Sequence, residues 1–205
     1  MNLADASLYL VAPARLEAGD LADLVVELAG AGVDLIQLRA KEAADADIVR
    51  MAEPILARCR EAGIPFILND RPDLAAAIGA DGVHVGQEDA PVAEARALVG
   101  SKVVGLSTHD RAQVDAAPDA APDYIAVGPV FDTPTKPGRP GVGFGLIRYA
   151  AERVAMPWFA IGGIDIATLD DVMEAGATRI VVVRAIVEAT DPIAAAAALE
   201  QQLHG

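Results

Sequence analysis

The chain has 205 residues, of which 53% are hydrophobic and only 4% aromatic, and it carries a formal net charge of −14. This length suits one domain with a single hydrophobic core, and the hydrophobic content excludes a disordered chain. The charge excludes nucleic acid and an anionic membrane surface as expected partners, because an acidic protein repels polyanions.

The sequence gives no sign of secretion or membrane insertion. Residues 1–7 contain Asp5 and lack the hydrophobic segment of a signal peptide. No apolar run reaches the roughly 20 residues that span a bilayer. Cys59 is the one cysteine, so a disulfide framework is excluded and a reducing, cytoplasmic compartment is expected. Because Cys59 falls in a helical pattern, we expect an unreactive thiol.

Short β-rich hydrophobic runs alternate with helical patterns along the chain. The predicted strands lie near 8–11, 34–38, 65–68, 81–85, 102–106, 123–127, 157–161 and 179–183. The predicted helices lie near 20–31, 45–62, 72–79, 91–99, 110–117, 144–154, 167–175 and 192–203. Asp20 and Asp110 are candidate N-terminal caps, while Gly63 and Gly176 are placed to end helices.

This alternation predicts an α/β fold with a parallel sheet. Eight units of about 25 residues match a compact, single-domain (β/α)₈ TIM barrel over residues 1–205. The alternative is a doubly wound sheet, which usually has fewer strands and a glycine fingerprint after its first strand; here residues 11–14 read Val-Ala-Pro-Ala. The Pro/Gly-rich stretch 133–145 is interpreted as a functional loop, since regular units continue on both sides.

Polar residues at every second position close the second predicted strand. Alternation places Gln37 and Arg39 on the face of Leu35, and Lys41 joins them if the strand continues. One amide and two cations in a row suit an anionic ligand such as phosphate. A strand end that reaches solvent is the alternative interpretation.

Polar residues also follow most of the other predicted strands. They are Asn69 and Asp70, Gln87 to Asp89, Ser107 to His109, the stretch Thr133 to Lys136, and Arg184, while the glycine pair Gly162-Gly163 follows the seventh strand. The loops at the opposite strand ends consist mostly of small residues. Because active sites of such barrels lie at the carboxyl ends of the strands, this asymmetry indicates an enzyme.

Asp70 and Asp89 end neighbouring predicted strands. Two carboxylates facing cations suggest a Mg²⁺ site completed by substrate phosphates. The alternative is that each aspartate caps the helix that follows, because Pro72 and Pro91 are placed to start helices.

A second phosphate region is predicted further along the chain. Thr133, Thr135 and Lys136 offer two hydroxyls and a cation, and Gly162-Gly163 exposes backbone N–H groups. A glycine pair alone could be a simple tight turn. Two phosphate regions, one with a metal, fit the joining of two phosphorylated substrates with pyrophosphate as the leaving group.

Other catalytic patterns are weak. His84 is expected to be a buried, hydrogen-bonded histidine, and His109 could reach a ligand or start a helix. No zinc-type His/Cys spacing, P-loop or nucleophile elbow occurs in the sequence.

These motifs together resemble the thiamine-phosphate synthase (thiamine-phosphate pyrophosphorylase) family over essentially the whole chain. The marks are Gln37-Leu38-Arg39-Ala40-Lys41, Asn69-Asp70, the run from Gly82 to Asp89, Gly105-Leu106-Ser107-Thr108-His109, Gly128-Pro129-Val130-Phe131 with Thr133 to Lys136, and Ala160-Ile161-Gly162-Gly163-Ile164. The resemblance implies a TIM-barrel transferase that joins a pyrimidine diphosphate to a thiazole phosphate, or its carboxylated form, and releases pyrophosphate.

The resemblance also implies a role for each candidate residue. The implied positions for the pyrimidine diphosphate are Gln37, Arg39, Lys41, Asn69, Ser107 and Lys136. Those for the thiazole phosphate are Thr133, Thr135, Gly163, Val183 and Arg184. The implied Mg²⁺ ligands are Asp70 and Asp89. The implied catalytic residues, which surround the reacting diphosphate, are Arg39, Lys41, Ser107 and Lys136.

Two departures from the family pattern and three alternative functions stay open. Asp132 adds a negative charge beside the phosphate loop, and Arg184 stands where many members carry Ser. The alternatives are a related thiazole-phosphate tautomerase, a non-catalytic thiamine-phosphate binder and a sugar-phosphate isomerase. The sequence leaves a homo-oligomer open.

Overall fold

The computed structural model describes residue 3 and residues 5–133 and 140–205. The strands are β1 Leu8–Ala12, β2 Arg15–Leu16, β3 Gly19–Asp20, β4 Leu35–Leu38, β5 Phe66–Asn69, β6 Gly82–Val85, β7 Val103–Thr108, β8 Tyr124–Val127, β9 Trp158–Ile161 and β10 Ile180–Val182. The helices are α1 Leu21–Gly30, α2 Asp45–Ala62, α3 Pro72–Ile78, α4 Val92–Val99, α5 Arg111–Ala120, α6 Gly143–Arg153, α7 Leu169–Glu174, α8 Arg184–Val187 and α9 Pro192–His204.

Eight of these strands close into a parallel barrel in the order β1-β10-β9-β8-β7-β6-β5-β4. β1 joins the two ends of the sheet: Tyr9 lies in register with Leu35 of β4 on one side and with Val181 of β10 on the other. The predicted single-domain (β/α)₈ barrel is therefore confirmed, and the doubly wound alternative is wrong.

Alternation along the strands divides the hydrophobic core into an inner and an outer part. Leu35 belongs to the cluster inside the barrel, together with Tyr9, Tyr124 and Phe159. Its neighbours Ile36 and Leu38 point outward and pack in the larger cluster between strands and helices. The predicted facing of the second barrel strand is thus confirmed, and it directs Gln37 inward.

Two small elements were not predicted. β2 and β3, two residues each, form a short antiparallel hairpin. The side chains of its Arg15 and Asp20 form an ion pair at 2.5 Å. α8 has only four residues, too few for any helical periodicity to be recognised. Of the predicted caps, Asp110 accepts a hydrogen bond from the Gln113 N–H at 2.8 Å, whereas the Asp20 side chain makes no capping bond.

Helix α2 ends as predicted at Gly63, which adopts a left-handed conformation with φ 73°. Among the residues described, no helix is long and apolar enough to cross a membrane.

Cys59 lies on the buried face of α2 and is fully shielded from solvent. Burial, with a smaller contribution from the negative charge of Asp81, raises the pKa of the Cys59 thiol from 9.0 to about 12. The thiolate form is therefore disfavoured in the folded protein, in agreement with the expected unreactive thiol.

This shift predicts how stability changes at high pH. Below pH 9.0, the ordinary pKa of the thiol, Cys59 is protonated in the folded and the unfolded protein, so it has no effect on how stability changes with pH. Above it the unfolded chain releases a proton that the folded chain keeps, so stability falls by up to about 1.4 kcal/mol per pH unit. Urea unfolding between about pH 8 and 10 should show a shallower decline for Cys59→Ala than for the wild type. Equal slopes would contradict the assigned pKa shift.

Candidate active site

Polar side chains gather where the barrel strands end. The described residues form three neighbouring cavities at this end of the barrel, and each holds residues singled out from the sequence. We call them the inner cavity, the carboxylate cavity and the wide cavity.

The inner cavity, of about 50 Å³, lies at the mouth of the barrel between the strands. The predicted site residues that line it are Gln37, Arg39, Asn69, Ser107 and Val183. They come from the three strands β4, β5 and β7 and from the residues that follow β4 and β10, so the barrel brings together groups that are far apart in sequence. Of the polar members, Gln37 and Ser107 are buried, while Arg39 and Asn69 are half-buried at the rim.

A chain of buried hydrogen bonds runs across the barrel beneath this cavity. The Gln37 amide Nε2 donates to the Tyr9 hydroxyl, which lies 2.8 Å from the Tyr124 hydroxyl. The Tyr124 oxygen is 3.0 Å from His84 Nδ1, and His84 Nε2 is 2.9 Å from Ser107 Oγ. The prediction of a buried, hydrogen-bonded His84 is confirmed, and the chain connects two predicted site residues on opposite sides of the barrel.

The carboxylate cavity, of about 260 Å³, lies next to the inner one. Lys41, Asn69 and Asp70 line it, and Asn69 also lines the inner cavity. Lys41 Nζ is 2.8 Å from Asp70 Oδ2. Arg71 stands at the same cavity, but its guanidinium group is held by the carboxylates of Asp45 and Asp73.

Asp70 and Asp89 are close enough for each to affect the ionisation of the other. Burial, then the neighbouring Asp89, raises the pKa of the Asp70 carboxyl above its ordinary value, while Lys41 opposes the rise. Two facing carboxylates beside a single ammonium group suit an additional cation. The described residues contain no group of three or more His, Cys, Asp or Glu side chains able to hold a metal, so this pair supplies two ligands at most.

Neither aspartate caps a helix. The N-cap of α3 is Arg71 and that of α4 is Pro91, and neither helix receives a side-chain capping bond. Asp70 instead has φ 63°, a left-handed conformation that is unusual for a residue other than glycine. Asp89 Oδ2 accepts the Gly86 N–H at 2.8 Å, which fixes the turn after β6. The helix-cap alternative is therefore wrong for both residues.

The wide cavity, of about 360 Å³, lies on the other side of the inner one. Thr133, Gly163, Val183 and Arg184 line it, so four predicted thiazole-phosphate residues lie together. The Arg184 guanidinium is 4.0 Å from the carboxylate of Glu188, a contact too long to neutralise it.

Thr135 and Lys136 lie outside the described residues, so their predicted roles stay predictions. Asp132, at the start of the same loop, is exposed, and its Oδ1 accepts the Gly141 N–H at 2.6 Å. Its charge is thus directed to the loop backbone, and Asp132 does not line the wide cavity.

The inner and wide cavities share a wall. Ile161, Val181 and Val183 line both of them. The two cavities are therefore adjacent, and apolar side chains form the boundary between them.

Several lining residues were not selected from the sequence as part of the site. Tyr9, Ile161 and Val181 look like ordinary strand residues, and His84 was assigned to the core alone. His109 also lines the wide cavity, and its Nδ1 is 2.6 Å from the Gly128 carbonyl oxygen. Alternation could have identified Tyr9, because Tyr9 and Val11 share one face of β1.

A closed (β/α)₈ barrel with cations, carboxylates and two joined cavities at the carboxyl ends of its strands has the architecture of a barrel enzyme. The chain belongs to the thiamine monophosphate synthase family, whose model matches residues 8–186. It is a transferase of thiamine biosynthesis.

Relatives with the same activity in their names cover nearly the whole chain. The thiamine-phosphate synthase of Acidothermus cellulolyticus is 49% identical over 98% of this chain and 97% of its own. That of Thermus thermophilus is 54% identical over 87% of this chain and 86% of its own. Among solved structures, the thiamine phosphate pyrophosphorylase of Pyrococcus furiosus superposes with a TM-score of 0.87 at 28% identity, covering 97% of both chains.

Two glycines, Gly162 at the wall of the wide cavity and Gly145 in α6, predict a contrast in stability. A Cβ on Gly162, which has φ 110°, would lie 2.4 Å from the Cα of Pro129, whereas one on Gly145 in α6 would meet nothing within 4 Å. Gly162→Ala should therefore lower the free energy of unfolding by at least about 2 kcal/mol. Gly145→Ala should raise it by about 0.5–1 kcal/mol, because alanine favours the helix.

Urea unfolding of both variants beside the wild type measures the contrast. A Gly162→Ala protein as stable as Gly145→Ala would show that the strand ends do not approach each other as closely as described.

Proposed function

We propose that the protein condenses 4-amino-2-methyl-5-hydroxymethylpyrimidine diphosphate with 4-methyl-5-(2-phosphoethyl)thiazole, or with its carboxylated form, to give thiamine phosphate and pyrophosphate. The observation that carries the proposal is the order of the three cavities. A cationic inner cavity lies between the carboxylate cavity, lined by Asp70 with Asp89 behind it, on one side and a wide, partly apolar cavity on the other.

The pyrimidine diphosphate is assigned to the inner and carboxylate cavities. Gln37 offers an amide deep in the inner cavity, where the heterocycle can be recognised, and the Ser107 hydroxyl is placed there to donate to the diphosphate. Arg39, Asn69 and Lys41 stand at its rim and in the next cavity, so the diphosphate is directed outward along them. A guanidinium and an ammonium group are the usual partners of phosphate oxygens. Lys136 is assigned to the same diphosphate on the resemblance alone.

Mg²⁺ is assigned to the Asp70–Asp89 pair. The donor set fits, because Mg²⁺ commonly takes one or two protein carboxylates and completes its shell with water and substrate phosphates. The raised pKa of Asp70 fits too, since mutual repulsion of two carboxylates is relieved by a cation between them. The bound ion would supply charge stabilisation to the departing pyrophosphate.

The thiazole phosphate is assigned to the wide cavity. Its phosphate would meet Thr133, the backbone at Gly163 and the Val183–Arg184 segment, with Thr135 assigned on the resemblance alone. The Arg184 guanidinium can add a charged contact, because its only described carboxylate partner, Glu188, is 4.0 Å away. The thiazole ring then faces the shared wall of Ile161, Val181 and Val183, beside the pyrimidine.

The residues suit a dissociative substitution. Arg39 and Lys41 stabilise negative charge as the pyrophosphate leaves, and the Ser107 hydroxyl can donate to the same group. The C–O bond to the leaving pyrophosphate breaks, and the thiazole nitrogen then attacks the cationic pyrimidine methylene where the inner and wide cavities meet. This chemistry needs no general base. A sugar-phosphate isomerase would need one, and the paired Asp70 and Asp89 do not offer an isolated carboxylate for that role.

The direct test supplies both substrates and Mg²⁺ to the purified protein and measures thiamine phosphate and pyrophosphate together. Equal amounts of the two products, lost with EDTA and restored by excess Mg²⁺, are expected. If no product forms while both substrates bind, the protein is a binder. If the thiazole phosphate is instead isomerised, which NMR detects without the pyrimidine, the protein is a tautomerase.

The metal assignment predicts a specific defect in one variant. Asp89→Asn keeps an oxygen able to accept the Gly86 N–H but removes the negative charge. The Mg²⁺ concentration giving half-maximal activity should rise by roughly 10–100-fold, because a carboxylate ligand is lost. The melting temperature should remain near that of the wild type.

Asp110→Asn is the matched control for this prediction. It removes the same charge from an exposed helix cap and keeps the bond to the Gln113 N–H. If Asp89→Asn and Asp110→Asn need the same Mg²⁺ concentration, the metal is not held by Asp89.

A further inference from the structure

The hydrogen-bond chain beneath the inner cavity has a defined direction. Gln37 Nε2 is an amide nitrogen and can only donate, so the Tyr9 oxygen accepts there. Burial raises the pKa of both Tyr9 and Tyr124 above the ordinary range, so each hydroxyl keeps one proton to donate. The proton of Tyr9 goes to the Tyr124 oxygen, and that of Tyr124 goes to His84 Nδ1.

The opposite direction at His84 leaves a proton without an acceptor. If His84 Nδ1 carried the proton and donated it to Tyr124, the two tyrosine oxygens would hold two protons with one acceptor between them. Within the described part of the chain, the hydroxyls of Tyr9 and Tyr124 have no partners other than Gln37, His84 and each other. A buried donor without an acceptor costs about 1–3 kcal/mol, which favours the first direction.

This direction determines what Ser107 can do. With Nδ1 of His84 accepting, the ring proton is on Nε2 and is donated to Ser107 Oγ, 2.9 Å away. The Ser107 oxygen then acts as acceptor toward His84, and its own proton is available to the inner cavity, which Ser107 lines.

We propose that Tyr124 is a positioning residue: by donating to His84 Nδ1 it selects the Nε2–H tautomer, and so turns the Ser107 hydroxyl proton toward the substrate. The role rests on the proposed function, in which Ser107 donates to the pyrimidine diphosphate. Tyr124 itself does not line the cavity and acts only through His84.

The packing around Tyr124 supports a fixed contact. A Cβ on Gly105 would lie 2.4 Å from the Tyr124 hydroxyl and 2.6 Å from His84 Nδ1, so only glycine leaves room for this hydrogen bond. The Tyr124 ring is also held edge-on by Tyr9 and Phe159, with ring centroids 5.9 and 5.5 Å away. Glycine inside a strand weakens the strand, so its presence here marks a close approach that the structure uses.

The test reads the tautomer of His84 directly. Protein with ¹⁵N-labelled histidine is studied by long-range ¹H–¹⁵N correlation at neutral pH, where a bare ring nitrogen and a protonated one resonate far apart. The chain has three histidines, and the His109→Gln and His204→Gln variants identify the signals of those two. Kinetics with both substrates, and melting curves, are recorded for the same proteins.

The wild type should show a bare Nδ1 and a protonated Nε2. Tyr124→Phe should move both nitrogens toward a mixture of tautomers and lower kcat by roughly 10-fold, with KM changing less than about 3-fold. Tyr149→Phe is the matched control, because it removes an exposed hydroxyl that bonds Asp115 at 2.8 Å, outside all three cavities. It should leave both the His84 signals and kcat unchanged.

A protonated Nδ1 in the wild type would overturn the proposal, even if Tyr124→Phe failed to fold. So would a folded Tyr124→Phe protein with a wild-type kcat. The tautomer is measured without substrate, so an inactive wild type with the Nε2–H form would refute the proposed function and leave the direction of the chain intact.

Discussion

The inside of the barrel must be filled without water, and this constraint governs the rest of the structure. With few aromatic residues in the chain, three of them, Tyr9, Tyr124 and Phe159, meet edge-on at the centre. Two of the three carry hydroxyl groups that cannot reach solvent. A buried hydroxyl without a partner costs about 1–3 kcal/mol, so the filling of the barrel favours polar neighbours at defined positions.

Those neighbours are also the floor of the site. Gln37 and His84 satisfy the tyrosines from opposite sides, and His84 in turn bonds Ser107. The same polar residues therefore stabilise the core and hold the substrate-facing groups in place. The inner cavity above them is small, about 50 Å³, and the residues that follow the strands supply the charged groups around it. An acidic protein thereby places two cations, Arg39 and Lys41, at neighbouring cavities of its barrel mouth.

The sequence was sufficient for the fold and for the placement of many candidate residues at one end of the barrel, because both depend on local patterns. Period-two alternation put Gln37 inside the barrel, and the regular change from strand to helix identified the eight units. Adjacent strands put Asp70 beside Asp89. The placement of the candidate site at the carboxyl ends of the strands followed from where polar residues cluster along the chain.

What the sequence could not supply is the contact between residues on strands far apart. Tyr9 and Tyr124 each look like an ordinary core aromatic, and only barrel closure brings their hydroxyls to 2.8 Å. The capping alternative for Asp70 and Asp89 was equally reasonable locally, and it failed because the following helices begin without side-chain caps. The four-residue α8 and the β2–β3 hairpin are too short to leave any periodic signal.

The position of β1 between β4 and β10 has a consequence for synthesis of the protein. Leu8 is in register with Ile180, so one edge of the first strand stays unpaired until the chain has been synthesised as far as β10. Pairing over so long a separation is slow and exposes a hydrophobic edge meanwhile. The wide cavity includes the residues that follow β10, and it is therefore completed only when that last strand is in place. On the ribosome, the wide cavity therefore cannot form before the segment that follows β10 has been synthesised.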